Sequence, residues 1–249
     1  MNSIFKKIST VSIGLFAVMP LFSQTQPEKG FSVVSTILTA SPDFTYIISS
    51  IGVIVLVLSI VKFYQLYIKE RFDAKNFYLK LKGYIRNNQY DEAIKVSSNF
   101  KNTTIGSIFW IGLLAFNDAR KSGKKGRLLK DTLQDSFDEA GLQLIPKIES
   151  GIYWFDILAQ IATLLGLLGT IFGLINAFHS LGSVDQTMKQ VALTNGIYQA
   201  MGTTAFGLII AVPTMLLKGL FQGRSEKIIN KIDEYSVKTI NQINHTIED

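Results

Sequence analysis

The sequence lacks cysteine, has only two histidines, and carries few charged residues for its length of 249. Without cysteine the chain has no disulfides, no thiolate nucleophile and no cysteine metal site, and two histidines are too few for the usual histidine-based zinc or iron sites. No phosphate-binding loop of the GxxxxGK[ST] type and no GxGxxG motif is present. We therefore expect no enzyme activity, no catalytic residue, no cofactor and no metal.

The low charge points to a membrane protein. Charged residues make up 18% of the chain and hydrophobic residues 47%, whereas soluble domains carry about a quarter charged residues. Residues 157–178 and 196–217 contain no charged side chain, and at about 1.5 Å per residue each helix would reach about 33 Å, enough to cross a bilayer core of about 30 Å. A third apolar segment, 44–61, ends at Lys62 and is followed by aromatic residues suited to the membrane interface. The sequence predicts an all-α membrane protein with three transmembrane helices.

The N-terminus is typical of a targeting segment. Lys6 and Lys7 precede an apolar run, residues 8–22, which is short for a span and is interrupted by Pro20. This pattern predicts a cleaved signal peptide, with a retained extra helix as the alternative.

The distribution of lysine and arginine predicts the orientation. Both are frequent in residues 69–150 and after 217, whereas the connection 180–195 holds only Lys189 and Asp185. Because basic loops face the cytoplasm, the long loop and the tail are predicted to lie inside and the N-terminus outside. Apolar residues at helical spacing predict that both the loop and the tail are helical. Their lysines are predicted to form a solvated face, so we expect no nucleic-acid partner. The predicted boundaries are 1–23 for the signal peptide, 24–43 for a periplasmic segment, 44–68 for the first span, 69–150 for the cytoplasmic loop, 151–179 for the second span, 180–195 for a periplasmic loop, 196–217 for the third span and 218–249 for the tail.

Small residues recur at steps of three or four in the second and third spans. They are Thr163, Gly166, Thr170, Gly173 and Ala177 in one, and Gly196, Ala200, Thr203, Gly207 and Ala211 in the other. Helices in lipid associate through such small residues, because no hydrophobic force holds them together. The two stripes predict either a mutual interface or the lining of a central pore.

The hydroxyl groups on these stripes allow two interpretations. Each threonine could bond back to a carbonyl of its own helix. Together they could instead form a weakly polar path with the neighbouring amides, comprising Thr163, Thr170, Thr203, Thr204, Gln199 and Asn176. No Asp, Glu, Lys or Arg lies in mid-membrane, so a proton path would need its titrating group from another protein.

The motifs GLLGTIFGLINAF (166–178) and GIYQAMGTTAFGLIIAVP (196–213) resemble the paired signature of the ExbB/TolQ/MotA proton-channel family, and ExbB most closely. The resemblance implies an inner-membrane pentamer of three-span subunits around ExbD- or TolR-like single-span partners, whose membrane aspartate carries the proton. The work would pass to a TonB-like protein that crosses the periplasm and energises outer-membrane transport. By motif position the pore residues are Thr170 and Thr204, beside Thr203, Gln199 and Thr163, while Gly166, Gly169, Gly173, Gly207 and Pro213 serve helix packing.

Two positions depart from the family pattern. Gln199 stands where many members have a glutamate, and Thr163 where a proline is common. Two alternatives stay open: a TolQ-like subunit for envelope integrity or gliding motility, and a non-conducting membrane scaffold. The scaffold predicts that Thr170 and Thr204 tolerate valine, whereas the motor predicts loss of function with assembly intact.

Overall fold

The computed structural model describes residues 42–71, 73–183 and 185–248. The predicted signal peptide and nearly all of the predicted periplasmic segment 24–43 lie outside these residues. The described residues form helices, turns and short connections. The all-helical prediction is confirmed, including the helical loop and tail.

The described residues contain seven α-helices. They are α1 (Pro42–Phe63), which continues into a π-helical turn (Tyr64–Lys69), α2 (Ala74–Arg86), α3 (Tyr90–Ser98), α4 (Thr104–Lys121), α5 (Arg127–Glu149), α6 (Tyr153–Ser180) and α7 (Lys189–Glu248).

Three helical stretches of the described residues are long and apolar enough to cross a membrane, and they contain α1, α6 and the first half of α7. With 60 residues, α7 is about 90 Å long. It therefore continues far beyond the apolar segment as the polar tail. Pro213 lies inside this helix and cannot donate a backbone hydrogen bond to the carbonyl of Ile209. The next residue, Thr214, is buried, and its hydroxyl donates to the Ile210 carbonyl at 2.6 Å.

Among the spans, α6 and α7 share the most extensive interface, and α1 packs against both. The Phe44 ring of α1 lies 5.6 Å from the Phe172 ring of α6. Gly52 of α1 faces Ile210 of α7, whose Cδ1 would lie 3.1 Å from a Cβ added at the glycine. Contact with both neighbours places α1 along one edge of the α6–α7 pair.

Helices α2 to α5 form a polar domain around a small aromatic core. Phe109 packs edge-on against Phe77 at 5.5 Å and against Phe137 at 5.4 Å between ring centroids. Gly112 is required here, because a Cβ at this position would lie 2.4 Å from the Phe137 ring. The Asp73 carboxylate caps α2 by accepting from the Asn76 amide at 3.2 Å. An aromatic core and helix capping thus stabilise the helical loop that the sequence predicts.

The junction between the polar domain and the spans contains a glycine in the left-handed region. Gly151 joins α5 to α6 with φ +82°, and a Cβ there would meet the buried Lys62 side chain at 2.8 Å. The Lys62 ammonium donates to Gln65 Oε1 at 3.0 Å, and Gln65 Nε2 donates to the Lys147 carbonyl at 3.1 Å. The residues that follow the first span are therefore bonded directly to the last turn of α5, just before the second span.

Candidate functional site: the glycine-packed seam between α6 and α7

The backbones of α6 and α7 approach each other closely at Gly166 and Gly207. A Cβ added at Gly207 would lie 2.6 Å from the Ala162 carbonyl oxygen and 3.1 Å from the Gly166 Cα. A Cβ at Gly166 would lie 3.2 Å from the Thr204 Cα and 3.3 Å from the Gly207 Cα. These obstacles are main-chain atoms, so a larger residue would have to push the helices apart.

The same close packing continues toward the other end of the seam. A Cβ at Gly173 would lie 2.8 Å from the Ala200 Cβ, and one at Gly196 would lie 2.3 Å from the Ala177 Cβ. Both alanines are buried. The four glycines and two alanines hold α6 and α7 together over most of the apolar length.

One edge of the seam faces α1. A Cβ at Gly169 would lie 2.3 Å from Thr203 Cγ2 and 3.4 Å from the Phe44 ring of α1. Thr203 is fully buried, and its hydroxyl donates to the Gln199 carbonyl of its own helix at 3.3 Å. The Gln199 side chain is exposed one turn earlier on the same face of α7.

The other three threonines point to the opposite edge. Thr170 follows Gly169 and Thr204 follows Thr203, and consecutive side chains on an α-helix diverge by about 100°. Because Gly169 and Thr203 face α1, Thr170 and Thr204 are turned away from it. Thr163 lies seven residues before Thr170, two turns along the same face. The proposed pore residues therefore form two groups: Thr163, Thr170 and Thr204 lie on the edge away from α1, and Thr203 and Gln199 lie on the edge beside it.

The hydroxyls on the edge away from α1 have different partners. Thr204 Oγ1 donates across the seam to the Gly166 carbonyl at 2.8 Å. Thr170 Oγ1 donates to the Leu167 carbonyl at 2.6 Å, and Thr163 Oγ1 to the Ala159 carbonyl at 3.0 Å. All three threonines are half-buried. Thr204 thus contributes to helix packing, while Thr163 and Thr170 bond within their own helix.

The buried stripe of α6 differs from the one drawn from the sequence. Its buried small residues include Ala162, Gly166, Gly169, Gly173 and Ala177, while Thr163 and Thr170 lie at its margin. Both sets consist of steps of three or four residues, so spacing alone does not choose between them. The choice depends on contact with Thr203, which the glycine at 169 admits and a side chain would block.

Sequence reasoning missed an ion pair at one end of the seam. Lys218 Nζ lies 2.8 Å from Asp156 Oδ1, and their side chains are 31% and 32% exposed. Each residue directly flanks an uncharged segment, and in antiparallel neighbouring helices such positions lie at the same level. Opposite charges at those two positions were the signal that could have identified the pair.

The seam itself contains no side chain that titrates in the membrane interior. Residues 157–178 and 190–217 include no Asp, Glu, Lys, Arg or His. Within residues 42–71, 73–183 and 185–248, no group of three or more His, Cys, Asp or Glu side chains is placed to hold a metal ion. What the arrangement offers is hydroxyl and carbonyl groups along a rigid, closely packed helix pair.

Known proteins similar to this chain belong to one family of proton channels. The profile of the MotA/TolQ/ExbB proton channel family matches residues 101–234, which run from just before α4 into the tail half of α7. Biopolymer transport protein exbB1 of Vibrio cholerae is 32% identical over 114 residues, covering 45% of this chain and 48% of that protein. The Tol-Pal system protein TolQ of Pseudomonas aeruginosa is 34% identical over 86 residues, covering 34% of this chain and 36% of that protein.

Longer matches exist at lower identity. A putative ExbB homolog of Methanothermobacter thermautotrophicus is 23% identical over 203 residues, covering 82% of this chain and 68% of that protein. The C. jejuni MotAB structure has the same fold, with a TM-score of 0.61 at 13% identity, covering 98% of this chain and 90% of the compared chain. This chain aligns with about half of the length of exbB1 of Vibrio cholerae and about a third of the length of TolQ of Pseudomonas aeruginosa. Since the family profile matches more than half of the chain, this protein belongs to the MotA/TolQ/ExbB proton channel family.

Proposed function

We propose that this chain is the ring subunit of a proton-driven motor in the bacterial inner membrane, acting as ExbB does to energise TonB-dependent outer-membrane transport. In this proposal the N-terminus is periplasmic, and the polar domain and tail are cytoplasmic. Copies of the chain, five by family resemblance, surround a single-span partner similar to ExbD or TolR.

The observation that carries the proposal is the threonine edge of the seam, formed by Thr163, Thr170 and Thr204. Two of these, Thr170 and Thr204, are the motif threonines. They lie on the same edge of a closely packed helix pair, α6 and α7. On the opposite edge Phe44 of α1 lies against Gly169, so the threonine edge is the one available to a helix in the centre of a ring.

The proton carrier must come from the partner. Residues 157–178 and 190–217 contain no Asp, Glu, Lys, Arg or His. Gln199 stands where many family members have a glutamate, and its amide neither binds nor releases a proton at physiological pH. A carboxylic acid on the partner could exchange hydrogen bonds with the Thr170 and Thr204 hydroxyls as it passes them. Each proton driven by about 100 mV supplies about 2.3 kcal/mol, so several protons are needed for substantial mechanical work.

A TolQ-like role is the second candidate, because TolQ proteins match this chain at identities similar to those of ExbB proteins. Deletion of the gene distinguishes the two. An ExbB-like subunit predicts loss of energy-dependent outer-membrane uptake with detergent resistance preserved. A TolQ-like subunit predicts detergent sensitivity with uptake preserved.

Proton flux through the purified complex tests the motor itself. The complex with its native partner is reconstituted in liposomes that contain a pH-sensitive dye, and a potassium diffusion potential drives proton entry. We expect Thr170→Val and Thr204→Val to reduce flux at least about fivefold, the equivalent of one lost hydrogen bond of about 1 kcal/mol. Thr170→Ser and Thr204→Ser retain the hydroxyl and should retain flux.

Thr194→Val is the matched control, because the Thr194 hydroxyl donates to the Gln190 carbonyl on an exposed side of α7 before the seam begins. Its flux should equal that of the unmodified complex. Subunit assembly is measured by size exclusion for every variant. Unchanged flux in both Thr170→Val and Thr204→Val, with assembly intact, would refute the role of the threonine edge and favour the scaffold.

A further inference from the structure

A small cleft outside the seam joins the end of the first span, the polar domain and the tail. Its cationic side consists of Arg224, Lys227 and Lys231, which lie at spacings of three and four on one face of α7. The cavity has a volume of about 20 Å³, enough for one or two atoms of water size. We refer to it as the basic cleft.

The single acidic residue of the cleft is already engaged. Glu70 is 8% exposed, and its carboxylate accepts from the Thr104 amide at 3.1 and 3.2 Å and from the Thr104 hydroxyl at 2.7 Å. It thereby caps the N-terminus of α4. Its oxygens are directed to Thr104, and no ion pair within 4.0 Å joins Glu70 to the tail in the part of the chain that the structure describes.

The cations of the cleft therefore exceed the anions. Lys227 and Lys231 are exposed and have no carboxylate within ion-pair distance among the described residues. Arg224 is half-buried and held in place, because its Nε donates to the Leu66 carbonyl at 3.4 Å and its guanidinium lies 5.5 Å from the Tyr67 ring centroid. Elsewhere on the tail, Lys238 is paired with Glu234. Two free ammonium groups beside one fixed guanidinium form a site for an anion.

The position of the cleft and its apolar wall favour one class of anion. Lys227 and Lys231 lie ten and fourteen residues beyond Leu217, the last residue of the uncharged segment, or about 15 and 21 Å along the helix. The headgroup layer on each side of a bilayer is only about 5–8 Å thick. Both ammonium groups therefore lie farther from the bilayer centre than the lipid phosphates do. Ala74, Ile105 and Ile228 supply an apolar wall for the methylene groups of a side chain.

We propose that the basic cleft binds an acidic peptide segment of another protein on this side of the membrane, with a Glu or Asp carboxylate placed between Lys227, Lys231 and Arg224. The site is separate from the threonine edge and does not depend on proton conduction. It would anchor a partner to the junction where the first span, the polar domain and the tail meet.

Peptide binding to the full chain tests this proposal. The protein is reconstituted in nanodiscs of uncharged phosphatidylcholine, and the probe is a fluorescein-labelled octapeptide of alternating Glu and Ser. The same peptide with Gln in place of Glu reports binding that does not need carboxylates. We expect fluorescence anisotropy to show saturable binding of the Glu peptide only, and Lys227→Gln with Lys231→Gln to weaken it about tenfold.

The matched control is Lys124→Gln with Lys125→Gln, which removes the same charge from the turn between α4 and α5 and should leave binding unchanged. Lys227→Arg with Lys231→Arg keeps the charge and should retain binding, which separates the loss of cations from misfolding. Absence of Glu-peptide binding, or equal weakening by both Gln pairs, would overturn the proposal. If reconstitution in nanodiscs that contain phosphatidylglycerol prevents peptide binding, and this effect requires Lys227 and Lys231, the cleft would be assigned to a lipid headgroup instead.

Discussion

Replacing Gly207 by alanine should destabilise the α6–α7 pair, because main-chain atoms of α6 occupy the space that the new side chain would need. The added Cβ would lie 2.6 Å from the Ala162 carbonyl oxygen, against 3.4 Å or more for an ordinary contact, so the backbones must separate by roughly 0.8 Å. Overpacking of this kind costs about 1–3 kcal/mol. The same separation would stretch the hydrogen bond from Thr204 to the Gly166 carbonyl, now 2.8 Å long, to the limit of hydrogen-bonding distance.

Gly219→Ala provides the matched control on the same helix. A Cβ at Gly219 meets nothing within 4 Å, so the substitution should be neutral or stabilise the helix by up to about 1 kcal/mol. Thermal unfolding of both purified variants is followed by circular dichroism at the helical band, and proton flux is measured in parallel. We expect Gly207→Ala to unfold at lower temperature and to conduct less. Equal unfolding temperatures for the two variants would refute the close-packing argument.

Three further predictions concern the polar domain and the membrane boundary. Hydrogen bonds and charge from α4, mainly from Lys121, lower the pKa of the Asp91 carboxyl. The stability that this contributes is present above the unfolded pKa of about 3.9 and is lost as pH falls through the lowered folded value. The difference in unfolding temperature between the native chain and Asp91→Asn should therefore vanish in acid, and a difference that persists there would contradict this. Glu70→Gln should cost about 1–2 kcal/mol, because a neutral amide replaces the charged acceptor of the Thr104 hydrogen bonds, and an unchanged unfolding temperature would show that the cap is dispensable. A double-mutant cycle on Asp156→Asn and Lys218→Gln should give a coupling of about 0.2–1 kcal/mol for this partly exposed pair, and a coupling of zero would exclude a stabilising contact.

The transmembrane architecture was predictable because it depends on local properties of the chain. Uncharged length predicted the spans near residues 157–178 and 196–217, and the structure places α6 and the first half of α7 there. The helical loop and tail followed from apolar spacing, and the family from two contiguous motifs. Each of these signals lies within a short stretch of sequence, so no knowledge of tertiary contacts was needed.

The arrangement within the site was less accessible, because it depends on which helix lies beside which edge. The motif placed Thr203 and Gln199 with Thr170 and Thr204, but the packing of α1 against Gly169, which contacts Thr203, separates the two groups. Contacts between residues far apart in the chain were also beyond the sequence. Glu70 reaches Thr104 across 34 residues, and Arg224 reaches the Leu66 carbonyl across 158.

The central claim is that this chain forms a ring around a partner that brings the titrating carboxylate. Native mass spectrometry of the complex, purified through a tag on this chain from its own host's membranes, tests it most directly. We predict a closed ring of identical subunits that carries one or two copies of a small single-span protein with a membrane aspartate. A ring that retains no such protein under gentle extraction, or a chain recovered only as a monomer, would contradict the account.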